Sequence, residues 1–448
     1  MATQQPGRPN VVLLISHDTG KMYSPYGYDT VRMPHFENLA RQSAVFDHCF
    51  CTTPLCAPAR AALTTGRYPH QNGMNGLPGE AVGSWDLVEK DRHLSTLFRR
   101  NGYRTVLCGF EHETVEMFTL GFEEGIHGIG HFNNGGNEDF PGAGGAISRW
   151  FQRNPGAGVD TPFYMQIGCG ETHRDWETYS GAPYSEKGIW KAPYLVDSPE
   201  VDREMAWMQA ACNSLDTGLG NIMEAFEKQG VLRNTIFVVT TDHGIDFPRA
   251  KGTLFDPGVE VGLFMRYDNG NWAKNVHCEK LASHVDVYPT VLEACGIPVP
   301  DGTAGSSFLS TLQNPADPRP VRDAVFLEKT YHDNYDPMRG LRTERYKYVL
   351  NFDAQTMYDV RIATAPRYNW FKFPFHKPCR EELYDLHTDP HESNNLAANP
   401  AFDDVRKAFK KRLADWMKET GDPLLEGCMP SPYHVRASRE MRELAGVP

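Results

Sequence analysis

A cysteine, a proline and an arginine stand at fixed spacing in the stretch Cys56-Ala-Pro58-Ala-Arg60. Small and apolar residues suited to a helix follow as far as Gly66, a residue type that commonly ends helices. Pro58 suits the first helical position, which predicts that Cys56 lies just outside a helix N-terminus. Unpaired backbone N–H groups and the positive end of the helix dipole then lie beside the sulfur, with a guanidinium in the first turn. The stretch therefore predicts a site for an oxyanion.

Polar side chains also follow four apolar runs of strand length. The runs span residues 10–15, 103–108, 163–168 and 235–240, and the polar residues after them are His17 with Asp18, His112, His173, and Asp242 with His243. Continuous apolar runs of this length are typical of buried parallel strands, and ligands bind beyond the carboxyl ends of such strands. We therefore expect these side chains to form one site. Lys251 lies on the loop after the last of them, beside a glycine, and is a candidate anion contact.

The elements that must position these residues alternate between strands and helices. Helical spacing or composition predicts helices at 34–46, 59–65, 94–101, 201–229 and 286–295, and residues 261–265 predict a fifth strand. This alternation predicts an α/β fold with a large, mostly parallel sheet sandwiched by helices. After about residue 320 the pattern changes to short antiparallel strands and a helix over 402–420, which predicts a smaller C-terminal α+β domain. The predicted domains are 1–320 and 321–448.

Composition narrows the class of protein. The chain has 448 residues and a net charge of −12, and its pI is about 5.8. Nucleic-acid binders are normally basic, so a nucleic-acid partner is not expected, whereas a small anion in a local basic pocket is compatible with this charge. No apolar run approaches the ~20 residues of a membrane span. The polar N-terminal stretch lacks the apolar core of a signal peptide, which predicts a cytoplasmic protein, or a periplasmic one if a leader was removed.

With these residues in view, the chain resembles the sulfatases of the alkaline-phosphatase-like superfamily. Residues 56–66 are similar to the family signature Cys-x-Pro-x-Arg…Leu-Thr-x-Gly, which marks the cysteine for oxidation to formylglycine. The strand ends correspond in order to the family's site residues, and Glu382 to Leu396 resembles its closing sheet. The stretch from Pro69 to Leu77 is most similar to the heparan N-sulfatases, or sulfamidases.

The resemblance implies a role for each candidate residue. It implies a divalent metal, with calcium expected, held by Asp18, Asp242 and His243, with His17 as a possible fourth ligand. Manganese or zinc is the alternative if both imidazoles bind. The resemblance further implies that Arg60 and Lys251 contact the sulfate and that His173, or else His112, protonates the leaving group. Two positions depart from the family pattern: His17 replaces the first acid of an Asp-Asp pair, and Phe110 replaces a lysine.

The implied activity is hydrolysis of a sulfate ester or N-sulfate, such as N-sulfoglucosamine, on a small sulfated sugar or a glycan end. A formylglycine-generating or equivalent maturation enzyme is an implied partner, and an oligomer is possible. A phosphonate monoester or phosphodiester hydrolase of the same superfamily is the alternative activity, since the loss of the lysine at Phe110 removes one sulfate contact. A non-catalytic anion- or carbohydrate-binding protein with the same fold is a third reading.

Overall fold

A mixed, mostly parallel sheet forms the centre of the computed structural model, which describes residues 7–79, 83–128, 140–179, 187–332, 334–353 and 380–447. Its strands are β1 (Asn10–Ser16), β2 (Ala44–Phe50), β3 (Arg104–Gly109), β4 (Glu124–Ile126), β5 (Phe163–Gly168), β6 (Thr235–Thr241), β7 (Glu260–Arg266) and β8 (Val276–Ser283). Across the sheet they are ordered β4-β3-β5-β1-β6-β7-β2-β8. Of these strands β7 alone runs antiparallel to its neighbours, β6 and β2.

Helices cover both faces of this sheet. Those of the N-terminal part are α1 (Pro34–Ala40), α2 (Cys56–Thr65), α3 (Pro69–Asn72), α4 (Leu94–Arg100), α5 (Ala143–Arg153), α6 (Pro199–Lys228), α7 (Asp256–Val259), α8 (His284–Ala294) and α9 (Leu309–Gln313). Successive side chains of a strand point to opposite faces, so Leu13 joins the core formed with α2 and α8, whereas Leu14 joins the core formed with α5 and α6. Among the described residues, none of the helices is long and apolar enough to cross a membrane.

A second, antiparallel sheet follows. Its strands are β9 (Val325–Tyr331), β10 (Tyr335–Arg342), β11 (Tyr346–Asn351) and β12 (Glu381–Asp385), in the order β12-β11-β10-β9. The helix α10 (Asp403–Thr420) packs Leu413 and Trp416 against this sheet, and α11 (Pro432–Leu444) comes after it. The predicted fold class is confirmed. The division at residue 320 falls between α9 and β9 and stays a prediction.

A buried ionic cluster joins the second sheet to the first part of the chain. The Lys347 Nζ on β11 lies 2.5 Å from Asp256 Oδ1 and 2.7 Å from Glu392 Oε1, and it donates to the Leu254 carbonyl at 2.9 Å. Burial and the nearby Asp256 carboxylate raise the pKa of Glu392 to about 7, although the Lys347 cation opposes this shift. The cluster fixes α7, which follows the loop that carries Lys251.

The helix predicted over 34–46 is wrong in its second half. The helix α1 ends at Ala40, and Ala44–Phe50 forms β2, which pairs with β7 and β8. Val45 and Phe46 are buried in this pairing. Tertiary pairing thus overrides a helical spacing that is only local. The adjacent strand β8 was not predicted from the sequence either.

Candidate active site

The four strands that end in polar residues are neighbours in the sheet. β3, β5, β1 and β6 lie side by side and run parallel, so their carboxyl ends meet at one edge. The side chains that follow them converge there, together with the N-terminus of α2 and the loop that carries Lys251. All nine residues singled out from the sequence therefore lie in one region of the structure. Their individual roles stay predictions.

Cys56 is the first residue of α2, and Leu55 is the N-cap. The expectation that Pro58 begins the helix is wrong by two residues, because proline is tolerated throughout the first turn, where backbone N–H groups need no helical partner. The Cys56 side chain is buried, and its Sγ lies 3.3 Å from His243 Nε2. Burial raises the pKa of the thiol, but the Lys251 cation and the imidazoles of His17 and His243 outweigh it, so the pKa lies well below its usual range.

Two fully buried carboxylates form the base of the site. Asp18 has a left-handed backbone conformation, with φ of 56°, which aspartate tolerates better than most residues. This turn lets the Asp18 N–H donate to Asp242 Oδ1 at 2.9 Å. The Lys251 Nζ donates to Asp18 Oδ2 at 2.6 Å. Burial raises the pKa of Asp18, but Lys251 and His17 outweigh it and hold that pKa well below its usual range.

Two imidazoles face these carboxylates. His17 Nδ1 lies 2.7 Å from Asp18 Oδ1 and 3.3 Å from Asp242 Oδ2. His243 Nε2 lies 3.1 Å from Asp18 Oδ1. Burial lowers the pKa of His17, but the carboxylates of Asp242 and Asp18 outweigh burial and raise it to about 9. One donor atom from each of His17, Asp18, Cys56, Asp242 and His243 lies within 4.8 Å of the others. Such a gathering of metal-ligating atoms fits a divalent cation.

Arg60 brings a fully buried guanidinium to the same cluster. Its Nε donates to Asp242 Oδ2 at 3.1 Å, and its Cζ lies 4.5 Å from the centre of the Phe110 ring. Among the described residues, Nη1 has no hydrogen-bond partner although it is buried. A buried N–H group without a partner is costly, so this atom is suited to an oxygen of a bound anion.

His173 and His112 are the two remaining imidazoles. The His173 ring meets the His17 ring edge-on with a centroid distance of 4.5 Å, and its Nε2 lies 3.9 Å from Asp18 Oδ2. Burial and the Lys251 cation lower the pKa of His173 to about 3. Burial also lowers the pKa of His112, although a hydrogen bond to Cys56 opposes this shift. Both imidazoles interact with Cys56, His112 through that hydrogen bond and His173 through its charge.

A buried network that was not predicted from the sequence joins the loop after β3 to α2 and β5. The Glu113 carboxylate accepts hydrogen bonds from the Thr64 hydroxyl and, at 3.3 Å, from the Gln166 amide. Burial and the Glu113 carboxylate raise the pKa of the neighbouring Glu111 to about 8. The available signals were a glutamine inside an apolar strand and acidic residues on both sides of His112.

Comparison with known families agrees with this geometry. Residues 9–297 match the family model described as Sulfatase. Residues 247–419 match the model described as N-sulphoglucosamine sulphohydrolase, C-terminal.

Two curated relatives align along nearly the whole chain. The N-sulphoglucosamine sulphohydrolase of Homo sapiens is 26% identical, over 92% of this chain and 91% of the relative. An ulvan-active sulfatase of Formosa agariphila is 27% identical, over 93% of this chain and 76% of the relative.

Solved structures share the fold at low identity. A protein in complex with its substrate D-glucosamine-2-N,6-O-disulfate has a TM-score of 0.70 at 18% identity, over 93% of this chain and 99% of that chain. The phosphonate monoester hydrolase of Agrobacterium radiobacter has a TM-score of 0.69 at 19% identity, over 92% and 96%. Since the sulfatase model covers well over half of the sequence, the chain belongs to the sulfatase family and is an enzyme of that family.

Proposed function

We propose that this enzyme removes sulfate from a small sulfated sugar or a glycan end, as an ester or an N-sulfate, through a formylglycine nucleophile derived from Cys56. The observation that carries the proposal is the buried cluster in which Cys56 meets paired carboxylates, imidazoles and the cations of Arg60 and Lys251. The names of the two curated relatives support a sulfated sugar, and the C-terminal family match favours the N-sulfate.

The nucleophile must be regenerated after each turnover, and a thiol at Cys56 does not readily allow this. An aldehyde at this position, made by a maturation enzyme, forms a hydrate with two hydroxyl groups. One hydroxyl attacks sulfur and displaces the alcohol or amine. Loss of the proton from the other hydroxyl then expels sulfate and restores the aldehyde, and water rehydrates it.

A metal ion and two cationic side chains would stabilise the negative charge of the reacting groups. A divalent metal held by Asp18, Asp242, His243 and His17 would lower the pKa of the attacking hydroxyl and offset sulfate charge. The family resemblance implies calcium as that ion, which stays a prediction. Arg60 and Lys251 stabilise charge on the sulfuryl oxygens.

His173 is the proposed acid for the leaving group, and His112 is the alternative. The pKa of His173 is about 3 in this site, so its ring is neutral before substrate binds. The negative charge of a bound sulfate must therefore raise the pKa of His173 for the ring to carry the proton.

One observation favours a second activity. Phe110 stands where sulfatases of this type have a lysine, and its ring packs beside Arg60 instead of adding a cation. Because the site has one sulfate contact fewer, hydrolysis of phosphonate monoesters or phosphodiesters is the alternative activity.

Turnover of matched substrates tests the proposal. Purified enzyme from the native host is compared on 4-nitrophenyl sulfate, glucosamine N-sulfate and phenyl phosphonate esters, with a Cys56→Ala preparation as the control for contaminating activity. We expect the sulfated compounds to have the higher kcat/KM, and the variant to be inactive. Faster turnover of the phosphonate esters would overturn the assignment.

A further inference from the structure

The orientation of His243 is that of a metal-ligating imidazole. Its Nδ1–H donates to the Gly244 carbonyl at 3.0 Å, so the neutral ring presents the lone pair of Nε2 to the cluster. That Nε2 faces Asp18 Oδ1 at 3.1 Å and Cys56 Sγ at 3.3 Å, which are both electron-pair donors. A carbonyl that fixes the far ring nitrogen is the usual outer partner of a histidine ligand.

The oxygen atoms of the cluster are largely committed to other partners. Asp18 Oδ2 accepts from Lys251 at 2.6 Å, and Asp242 Oδ2 accepts from Arg60 at 3.1 Å. Asp242 Oδ1 accepts two backbone N–H groups, those of Asp18 and His243, at 2.9 Å each. Calcium takes about six to eight oxygen ligands, and this buried site offers few that are not already bonded.

The chemical type of the donors suits a transition ion. His17 Nδ1 lies 2.7 Å from Asp18 Oδ1 and 3.3 Å from Asp242 Oδ2. Zinc and similar transition ions prefer imidazole nitrogen as a ligand, whereas calcium prefers oxygen.

We infer that this chain selects a zinc-class divalent ion over calcium, through the imidazoles of His17 and His243 and one oxygen each from Asp18 and Asp242. The inference rests on the proposed function for the place and purpose of the ion, and its test requires no turnover.

The direct test is metal competition. Stripped full-length enzyme is equilibrated with equal concentrations of Zn²⁺ and Ca²⁺, passed through a desalting column and analysed by mass spectrometry for metals. We expect about one zinc per chain and a calcium content about tenfold lower or less. The double variant with His17→Asp and His243→Asn should shift the ratio of zinc to calcium by about tenfold or more toward calcium. As a control, His277→Asn removes an imidazole that lies 2.8 Å from Asp47 away from the cluster, and it should leave the ratio unchanged.

A second measurement needs no variant that could fail to fold. Cobalt(II) replaces zinc and gives intense visible absorption with nitrogen ligands at low coordination number, but only faint absorption in an all-oxygen octahedral site. We expect intense bands in the wild-type enzyme, and we expect them to persist in Cys56→Ser because the thiol is not required. Calcium retained in preference to zinc, or faint cobalt bands, would overturn the inference. A zinc-loaded protein that hydrolyses no sulfate would refute the proposed function alone, and an active enzyme that retains calcium would refute this inference alone.

Discussion

Replacing Arg60 with methionine removes a buried cation but keeps most of the side-chain volume. The wild-type guanidinium bonds Asp242 Oδ2 at 3.1 Å and packs over Phe110, and its Nη1 is available to a substrate oxygen. Removing one partner of a buried ion pair costs about 3–5 kcal/mol. Asp242 keeps two hydrogen bonds from backbone N–H groups at 2.9 Å, so we expect the unfolding free energy to fall by about 3 kcal/mol, the lower end of that range. Loss of one donor to the developing anion should reduce kcat/KM by about 100- to 1,000-fold.

The matched control is Arg339→Met. Arg339 is also fully buried and forms a two-bond pair with Asp422, at 2.5 and 3.0 Å, in the second sheet. The assay combines urea unfolding with kcat/KM for glucosamine N-sulfate, corrected for the fraction of residue 56 that is converted. Both variants should lose comparable stability, but only Arg60→Met should lose the catalytic factor in the folded enzyme. Equal loss of kcat/KM in the two variants, or an Arg60→Met enzyme within threefold of wild type, would refute the anion-contact role.

Three further changes test the surrounding structure. The pKa of Glu111 is about 8 in the folded chain against an ordinary value of 4.5. Between these two pH values the folded chain holds a proton that the unfolded chain has released, so the unfolding free energy of the wild type should fall as pH rises from 4.5 to about 8. This decline is at most about 1.4 kcal/mol per pH unit, and Glu111→Gln should abolish it. Urea midpoints that change with pH in parallel for both proteins would contradict this prediction. Lys347→Met should lower the unfolding free energy by about 3–5 kcal/mol, and adding Glu392→Gln should restore part of this loss. A loss of about 1 kcal/mol or less would show that the ionic cluster contributes little to stability. A Cβ on Gly244 would lie 1.9 Å from the Pro257 carbonyl oxygen, so Gly244→Ala should displace the adjacent site residues and lower zinc content in the metal assay, whereas full occupancy would show that the loop adapts.

Much of the fold was predictable because the strands that carry the site are fully buried. A strand such as β1, apolar on both faces, has few other interpretations. Because ligands bind at the carboxyl ends of such strands, Asp18, which follows β1, was expected at the same edge as Asp242. Strands at the other side of the sheet were not predictable in the same way. β2 and β8 form their pairs with strands distant in sequence, and the apolar spacing near Phe46 equally fits a helix.

The membership of the site was predictable, but its internal contacts were not. Arg60 was identified from its fixed spacing to Cys56, and Lys251 from its place beside a glycine on the loop after Asp242. The sequence could not indicate that Lys251 bonds Asp18, that Arg60 bonds Asp242, or that the Phe110 ring lies beside the guanidinium. These contacts depend on side-chain packing between four strand ends, which sequence spacing does not encode.

The measurement that tests the central claim most directly joins the mass of the peptide carrying residue 56 to activity. Preparations of the enzyme from the native host, with differing degrees of maturation, are digested with trypsin, and the fraction with an aldehyde in place of the Cys56 thiol is measured. The same preparations are assayed with glucosamine N-sulfate at equal protein concentration. We expect specific activity to rise in proportion to the converted fraction and to extrapolate to zero at no conversion. Full activity in a preparation whose Cys56 is entirely unmodified would contradict the account.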